Sequence, residues 1–266
     1  MKTNLAICSD THINSTVAVC PPRIELDEGS YVATRPQRWL WECWQDFATE
    51  FYKLPGRHIV VVNGDVGELD TKRRSLQLIT TNKAIIQSII LDTLKPLTAD
   101  ADMVYVLRGT SAHTGKSAWL EEWLAKDLDN ASKPSLWRLQ ANCEGVRLDI
   151  AHHASMGRSE QAKLNAPAKL AVDTFYQYTL ANHKPPHLVI RSHNHRWADT
   201  GNNYPVRVLY TAAWTFATEY IYRTGLYNAD MLANIGGYYI TCEDGAYTVE
   251  QKAYKPERRN IWALSL

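Results

Sequence analysis

The chain has no cysteine pair at metal-binding or redox spacing. Its five cysteines, Cys8, Cys20, Cys43, Cys143 and Cys242, are an odd number scattered over 266 residues. That argues against a disulfide framework or a zinc–thiolate site, and it predicts reduced, buried thiols in a cytoplasmic protein. No stretch approaches the roughly 18 consecutive apolar residues of a membrane-crossing helix. The first apolar run, Leu5-Ala6-Ile7, is too short for a secretory leader. An excess of one charge is also missing. The 29 Lys and Arg against 28 Asp and Glu leave +1, so a surface built mainly to coat DNA or acidic lipid is excluded, though a local basic groove is not. With 13 Gly and 11 Pro the chain is neither fibrous nor low in complexity. No G-x-S-x-G occurs, which disfavours a Ser-His-Asp hydrolase. The stretch from Gly109 to Ser117 looks like a phosphate-binding loop, but five residues separate Gly109 from Gly115 where that loop needs four.

What is present suits an ordinary globular chain with a sizeable core, 45% hydrophobic and 21% charged. The 9 Trp and 14 Tyr against 4 Phe supply large apolar faces with a polar edge, material for core and interface. Short apolar runs alternate with longer helical patterns. Asn4–Cys8, His58–Val62, Met103–Leu107, Val146–Ala151 and Leu188–Arg191 read as buried strands. Helices are expected over 36–53, 72–95 (ended by Pro96), 117–128 and 166–182. Beyond about residue 205 the texture turns antiparallel: Val206–Tyr210, Tyr238–Cys242 and Ala246–Gln251 read as strands, the last two joined by the hairpin signal Asp244-Gly245. The expected class is mixed α and β with more than one sheet, a single domain over 1–266 with a β-rich part at 205–254. The clusters Lys72-Arg73-Arg74 and Arg258-Arg259 read as solvated ends, and Tyr220 and Tyr222 as weak pocket candidates.

Six of the nine histidines fall just past expected strands, among Asp and small residues. His12 follows the first strand in Ser9-Asp10-Thr11-His12. Asp65 follows the second in Asn63-Gly64-Asp65, and His113 follows the third after Gly109-Thr110-Ser111-Ala112. His152 and His153 end the fourth, and Ser192-His193-Asn194-His195 follows the fifth. Loops at the carboxyl ends of sheet strands converge on one rim. In an extended segment residues two apart point the same way, so Asp10 with His12, and His193 with His195, can each offer two ligand atoms. Neutral imidazole and carboxylate without thiolate suit Mn, Fe, Zn, Ni or Co. Glu68 and Asp70 follow Asp65 closely enough to orient ligand imidazoles. Lys116 and Trp197 are candidates for contact with substrate.

The ordered set resembles the calcineurin-like metallophosphoesterases, whose pattern is D-x-H, G-D, G-N-H-[DE], H and G-H-x-H. The resemblance spans about residues 4–197 and departs twice. Ser192 opens the last motif in place of Gly, and after Gly109 the chain has Thr110 and Ser111 where the family has its Asn and His, with His113 two residues later. The resemblance implies a two-sheet β sandwich flanked by helices, with two divalent metal ions, manganese foremost, on one edge. It assigns Asp10, His12, Asp65 and His195 to one ion. The other would take His152, His193 and a contact from Thr110, Ser111 or His113, with Asp65 bridging. His153 is an alternative to His152. The implied activity is hydrolysis of a phosphate ester by in-line attack of a metal-bridging hydroxide, with His113 beside the leaving group. Without G-N-H-E, the substrate leans to a phosphodiester of a nucleotide or nucleic acid, as in the nuclease branch. The alternatives are a protein Ser/Thr phosphatase-type phosphomonoesterase and a non-catalytic binding module with a degenerate site.

Overall fold

A computed structural model describes residues 1–71, 77–154, 159–218 and 234–256. The basic clusters at 72–74 and 258–259, and Tyr220 and Tyr222, lie outside the described residues. The chain begins with β1 (Thr3–Cys8), a small hairpin β2 (Arg23–Glu25) and β3 (Ser30–Val32), and α1 (Arg35–Tyr52). Then come β4 (Arg57–Asn63), α2 (Lys83–Thr98), β5 (Met103–Leu107), the single turn α3 (Ser111–Thr114) and α4 (Trp119–Asp127). The second half holds β6 (Leu139–Cys143), β7 (Val146–Ile150), α5 (Glu160–Leu180), β8 (Leu188–Arg191), β9 (Ala198–Asp199), β10 (Arg207–Tyr210), β11 (Ile235–Glu243) and β12 (Ala246–Tyr254).

Two five-stranded sheets carry the fold, ordered β12-β11-β1-β4-β5 and β6-β7-β8-β10-β9. In the first, β1, β4 and β5 are parallel. In the second, β7, β8 and β10 are parallel. The remaining edge strands pair antiparallel. The β-rich C-terminal part is therefore woven into both sheets. Period-two alternation explains the layering. Leu5, Ile7, Ile59 and Val61 face Leu148, Ile150, Leu188 and Ile190 across the space between the sheets. Their neighbours Ala6, Cys8, Val60 and Val62 face outward onto α1, α2 and α4. Val189, Val208 and Tyr210 pack outward on Ala171 and Leu170 of α5. The result is a two-sheet sandwich flanked by helices. The five cysteines are free and buried, and no described helix is long and apolar enough to cross a membrane.

Helix α1 shows why the pattern was readable. Thr34 and Gln37 form a capping box, Pro36 sits in the first turn, and Leu40, Trp44, Phe47 and Phe51 are buried on one face. Two expectations need correction. The helix expected at 72–95 starts at Lys83, and residues 72–76 lie outside the described residues. Gln77–Asn82 instead pairs with the loop after β1: Asn14 accepts from the Ile79 amide through its carbonyl and from the Thr80 amide through its side chain. Asn82 then caps the helix. Pro96 does not end α2, which runs on to Thr98 with Leu94 and Leu97 buried. A proline in the last turn removes one backbone hydrogen bond, which this packing outweighs.

Candidate metal centre

All parallel strands of both sheets point their carboxyl ends at one rim, and the loops there are locked to each other. The Asp10 amide donates to Gly64 O at 3.1 Å, and the His12 amide to Asp65 O at 3.0 Å. The Ser192 amide donates to His152 O at 2.9 Å. Asp10, His12, Asp65, His193 and His195 all have positive φ, between 42° and 73°. For non-glycine residues that left-handed backbone is strained, and it persists only where surrounding contacts over-determine it.

Ligand atoms fall into three groups, each within 4.8 Å internally: Asp10, Asp65, His152 and His193; Asp10, His12 and His195; and His12, Glu68 and His113. Asp10 Oδ1 lies 3.2 Å from His195 Nε2, 3.9 Å from His152 Nε2 and 4.0 Å from His12 Nε2. Asp65 Oδ2 lies 3.1 Å from His152 Nε2 and 3.8 Å from His193 Nδ1. The carboxylate common to the first two groups is thus Asp10, whereas the family resemblance assigns the bridge to Asp65. Asp65 Oδ1 is held by the Thr110 amide at 2.5 Å.

The third motif takes its own form. Thr110 Oγ1 lies 3.2 Å from His193 Nδ1. Ser111 begins α3 and belongs to none of the three groups. His113 Nδ1 meets both carboxylate oxygens of Glu68, at 3.0 and 2.9 Å, and His12 Nδ1 meets Glu68 Oε2 at 2.9 Å. One carboxylate therefore orients both imidazoles, whose rings stand edge-on with centroids 4.6 Å apart. His153 is exposed, its ring 5.0 Å from that of His152, outside all three groups. Trp197 is half-buried and packs edge-on against Tyr238 and beside Gly236, against the core between the sheets. Lys116 follows α3 and lines a cavity beside Trp119.

Two glycines are dictated by this packing. A Cβ on Gly109 would stand 2.2 Å from the Asp65 amide nitrogen and 2.3 Å from its Oδ1, and one on Gly64 (φ +79°) would stand 2.5 Å from the His152 ring. The Ser192 hydroxyl, absent from the family motif, is built into the rim. It accepts from Asn63 Nδ2 at 2.5 Å and from Thr211 Oγ1 at 2.9 Å, while Ser9 Oγ connects Thr211 to Asp10 Oδ2.

The residues fit a divalent cation. Asp10 Oδ1 and His152 Nε2 are buried with no hydrogen bond of acceptable geometry, a costly state unless something fills the space between them. His152 Nδ1 donates to Asn63 O at 2.7 Å, which turns Nε2 inward toward Asp10 and Asp65. His12 Nε2 lies 3.3 Å from His195 Nε2, so both imidazoles can turn a ring nitrogen to one cation. The charges agree. Burial works to lower the His152 pKa, but Asp10 and Asp65 prevail and hold it up at about 9. Burial works to raise Asp10 and Asp65, yet the facing imidazoles hold both below the usual carboxylate range. Glu68 resists burial through its bonds to His113 and His12 and stays down at about 2.

Sequence reading missed Glu121, because an acid in the first turn of a helix is ordinary. It is fully buried on α4, Oε1 3.3 Å from the Val66 amide and Oε2 without a partner. Burial first, and then the Asp65 charge, push its carboxyl up from 4.5 to about 7. The folded chain therefore holds a proton that the unfolded chain releases between those values. That stabilisation is complete below about pH 4.5 and is lost as pH rises through about 7. In chelator-treated protein Glu121→Gln is expected to gain about 3 kcal/mol over the wild type at pH 8 relative to pH 4, read from paired denaturant titrations.

Comparison with known proteins comes from structures alone. No family model matches the chain, and no curated protein does. It resembles vacuolar protein sorting 29 of Cryptosporidium parvum at 10% identity, covering 96% of this chain and 99% of that one, with a TM-score of 0.46. A predicted phosphoesterase of Streptococcus pneumoniae is 9% identical over 94% of this chain and 89% of that one, TM-score 0.40. Zinc-complexed Vps29 of Entamoeba histolytica is 14% identical over 94% and 98%, TM-score 0.38. These are likenesses of outline, and the chemistry of the rim rests on the distances above.

Proposed function

We propose that the chain is a metal-dependent phosphoesterase acting on a phosphodiester of a nucleotide or nucleic acid. The observation that carries this reading is the pair of donor groups meeting at Asp10, with Asp10 Oδ1 and His152 Nε2 buried and unsatisfied between them. Asp10, His12 and His195 would hold one ion, and Asp65, His152 and His193 the other, with the Thr110 hydroxyl beside His193. Two divalent ions of the Mn, Fe, Zn, Ni or Co class supply neutralisation of phosphoryl charge and a lowered pKa for water. The remaining work falls to side chains. Glu68 fixes His113 with Nδ1–H toward the carboxylate, so Nε2 is the atom from which a proton reaches the departing oxygen. Burial lowers the His113 pKa, but Glu68 outweighs it and raises the imidazole above its ordinary value, which keeps that proton available near neutral pH. Glu68 also turns His12 Nε2 toward Asp10.

The test is a panel of aryl monoesters, aryl diesters and mono-, di- and polynucleotide esters, run on metal-stripped protein with and without added manganese. Expected are manganese-dependent diester turnover and none in chelator. Turnover of monoesters alone identifies a phosphatase of the protein Ser/Thr type. Bound metal without turnover of any ester identifies a binding module.

A further inference from the structure

Beside the rim, Leu69, Lys83, Gly115, Lys116 and Trp119 line an open cavity of about 280 Å³. It adjoins the His113–Glu68 pair through the chain on both sides: Leu69 follows Glu68, and Gly115 and Lys116 follow His113. The Leu69 amide donates to His113 O at 2.8 Å, so the cavity wall moves with the imidazole. Lys83 Nζ stands 4.9 Å above the Trp119 ring. Among the described residues neither Lys83 nor Lys116 has a carboxylate in ion-pair range.

The positions of the lysines sharpen the point. Lys83 is the first residue of α2, whose first turn holds no acid. A cation there opposes the helix dipole, so helix stability does not explain it. Trp119 is the first residue of α4. Of the acids in that turn, Glu121 is buried and Glu122 is engaged by Arg108 and Lys126, both at 3.0 Å. Two lysines and an indole thus line the cavity, with no acid among the lining residues. The volume falls just under the about 300–1,000 Å³ of a whole-ligand site and suits one arm of a substrate.

We propose that this cavity is a subsite for a nucleoside phosphate, with its base against the Trp119 indole and its phosphate between Lys83 and Lys116. An indole face that holds an ammonium also holds a planar base, since stacking requires only a π face. The assignment of this arm to the leaving side of a scissile ester rests on the phosphoesterase reading, because it lies next to the proposed proton donor. The binding itself does not depend on that reading.

Isothermal titration of the chelator-treated protein with adenosine 5′-monophosphate, and separately with inorganic phosphate, tests it. Saturable nucleotide binding is expected, weakened about tenfold in Lys83→Ala and in Trp119→Leu. Phosphate binding is expected to weaken in Lys83→Ala but not in Trp119→Leu. The proposal is overturned if the wild type does not bind the nucleotide, or if Lys83→Ala, a surface change that leaves the core intact, binds it as tightly. No metal or turnover enters the measurement. Lysine-dependent binding in a protein that hydrolyses no ester would remove the phosphoesterase reading and keep the subsite, and hydrolysis without such binding would do the reverse.

Discussion

Asp65→Ala is expected to reduce ester hydrolysis at least about 10³-fold, to the level of chelator-treated protein. Metal content measured by elemental analysis should fall with it. The carboxylate does more than offer a donor atom. Its Oδ1 accepts from the Thr110 amide and its Oδ2 faces His152 Nε2. Truncation strands a backbone donor at the start of α3 and leaves the buried His152 facing only Asp10. It also frees the close contact that Gly109 makes with this side chain. Loss of metal with an unchanged circular dichroism spectrum separates loss of the site from loss of the fold, and Asp65→Asn, which keeps the shape, should lose metal as well. Full activity in either variant would reject the centre.

His113→Ala is expected to lower turnover of nucleotide diesters by about 10² to 10⁴ while most of the metal stays bound. The imidazole belongs to neither group that shares Asp10, and its fixed contact is Glu68. Esters with nitrophenol leaving groups, which depart without a proton, should lose far less than nucleotide esters. That contrast is the signature of a proton donor. If both metals leave with the side chain, His113 is a ligand instead, and the leaving-group ratio stays flat.

The strands were legible where β-branched runs met turn residues. Met103–Leu107 and Leu188–Arg191 need no adjustment, because buried parallel strands read as unbroken apolar runs. The strand Leu139–Cys143 was not legible: its Gln140 and Asn142 point outward from an edge strand and give no apolar run. The helix start at Lys83 was obscured because Ile79 continues the helical period while its amide bonds Asn14. At the rim, residue types and order made the donors readable strand by strand. Their division was not readable, since which carboxylate stands between the two groups depends on the relative placement of two sheets. Glu68 could be suspected from its nearness to Asp65, but that it serves two imidazoles at once is a fact of three dimensions. Trp197 lies two residues past His195, and its edge-on contact with Tyr238, 41 residues further along the chain, is likewise not written in the local sequence.

The five left-handed corners at Asp10, His12, Asp65, His193 and His195 set stability against chemistry at the same positions. Glycine at any of them would relax a backbone cost of the order of 1–3 kcal/mol, and would also delete the donor the corner exists to aim. Selection for a hardier protein therefore pulls against selection for a working one at each corner. Engineering for heat tolerance has to look for its gains in the helices and sheet edges and leave the rim wound.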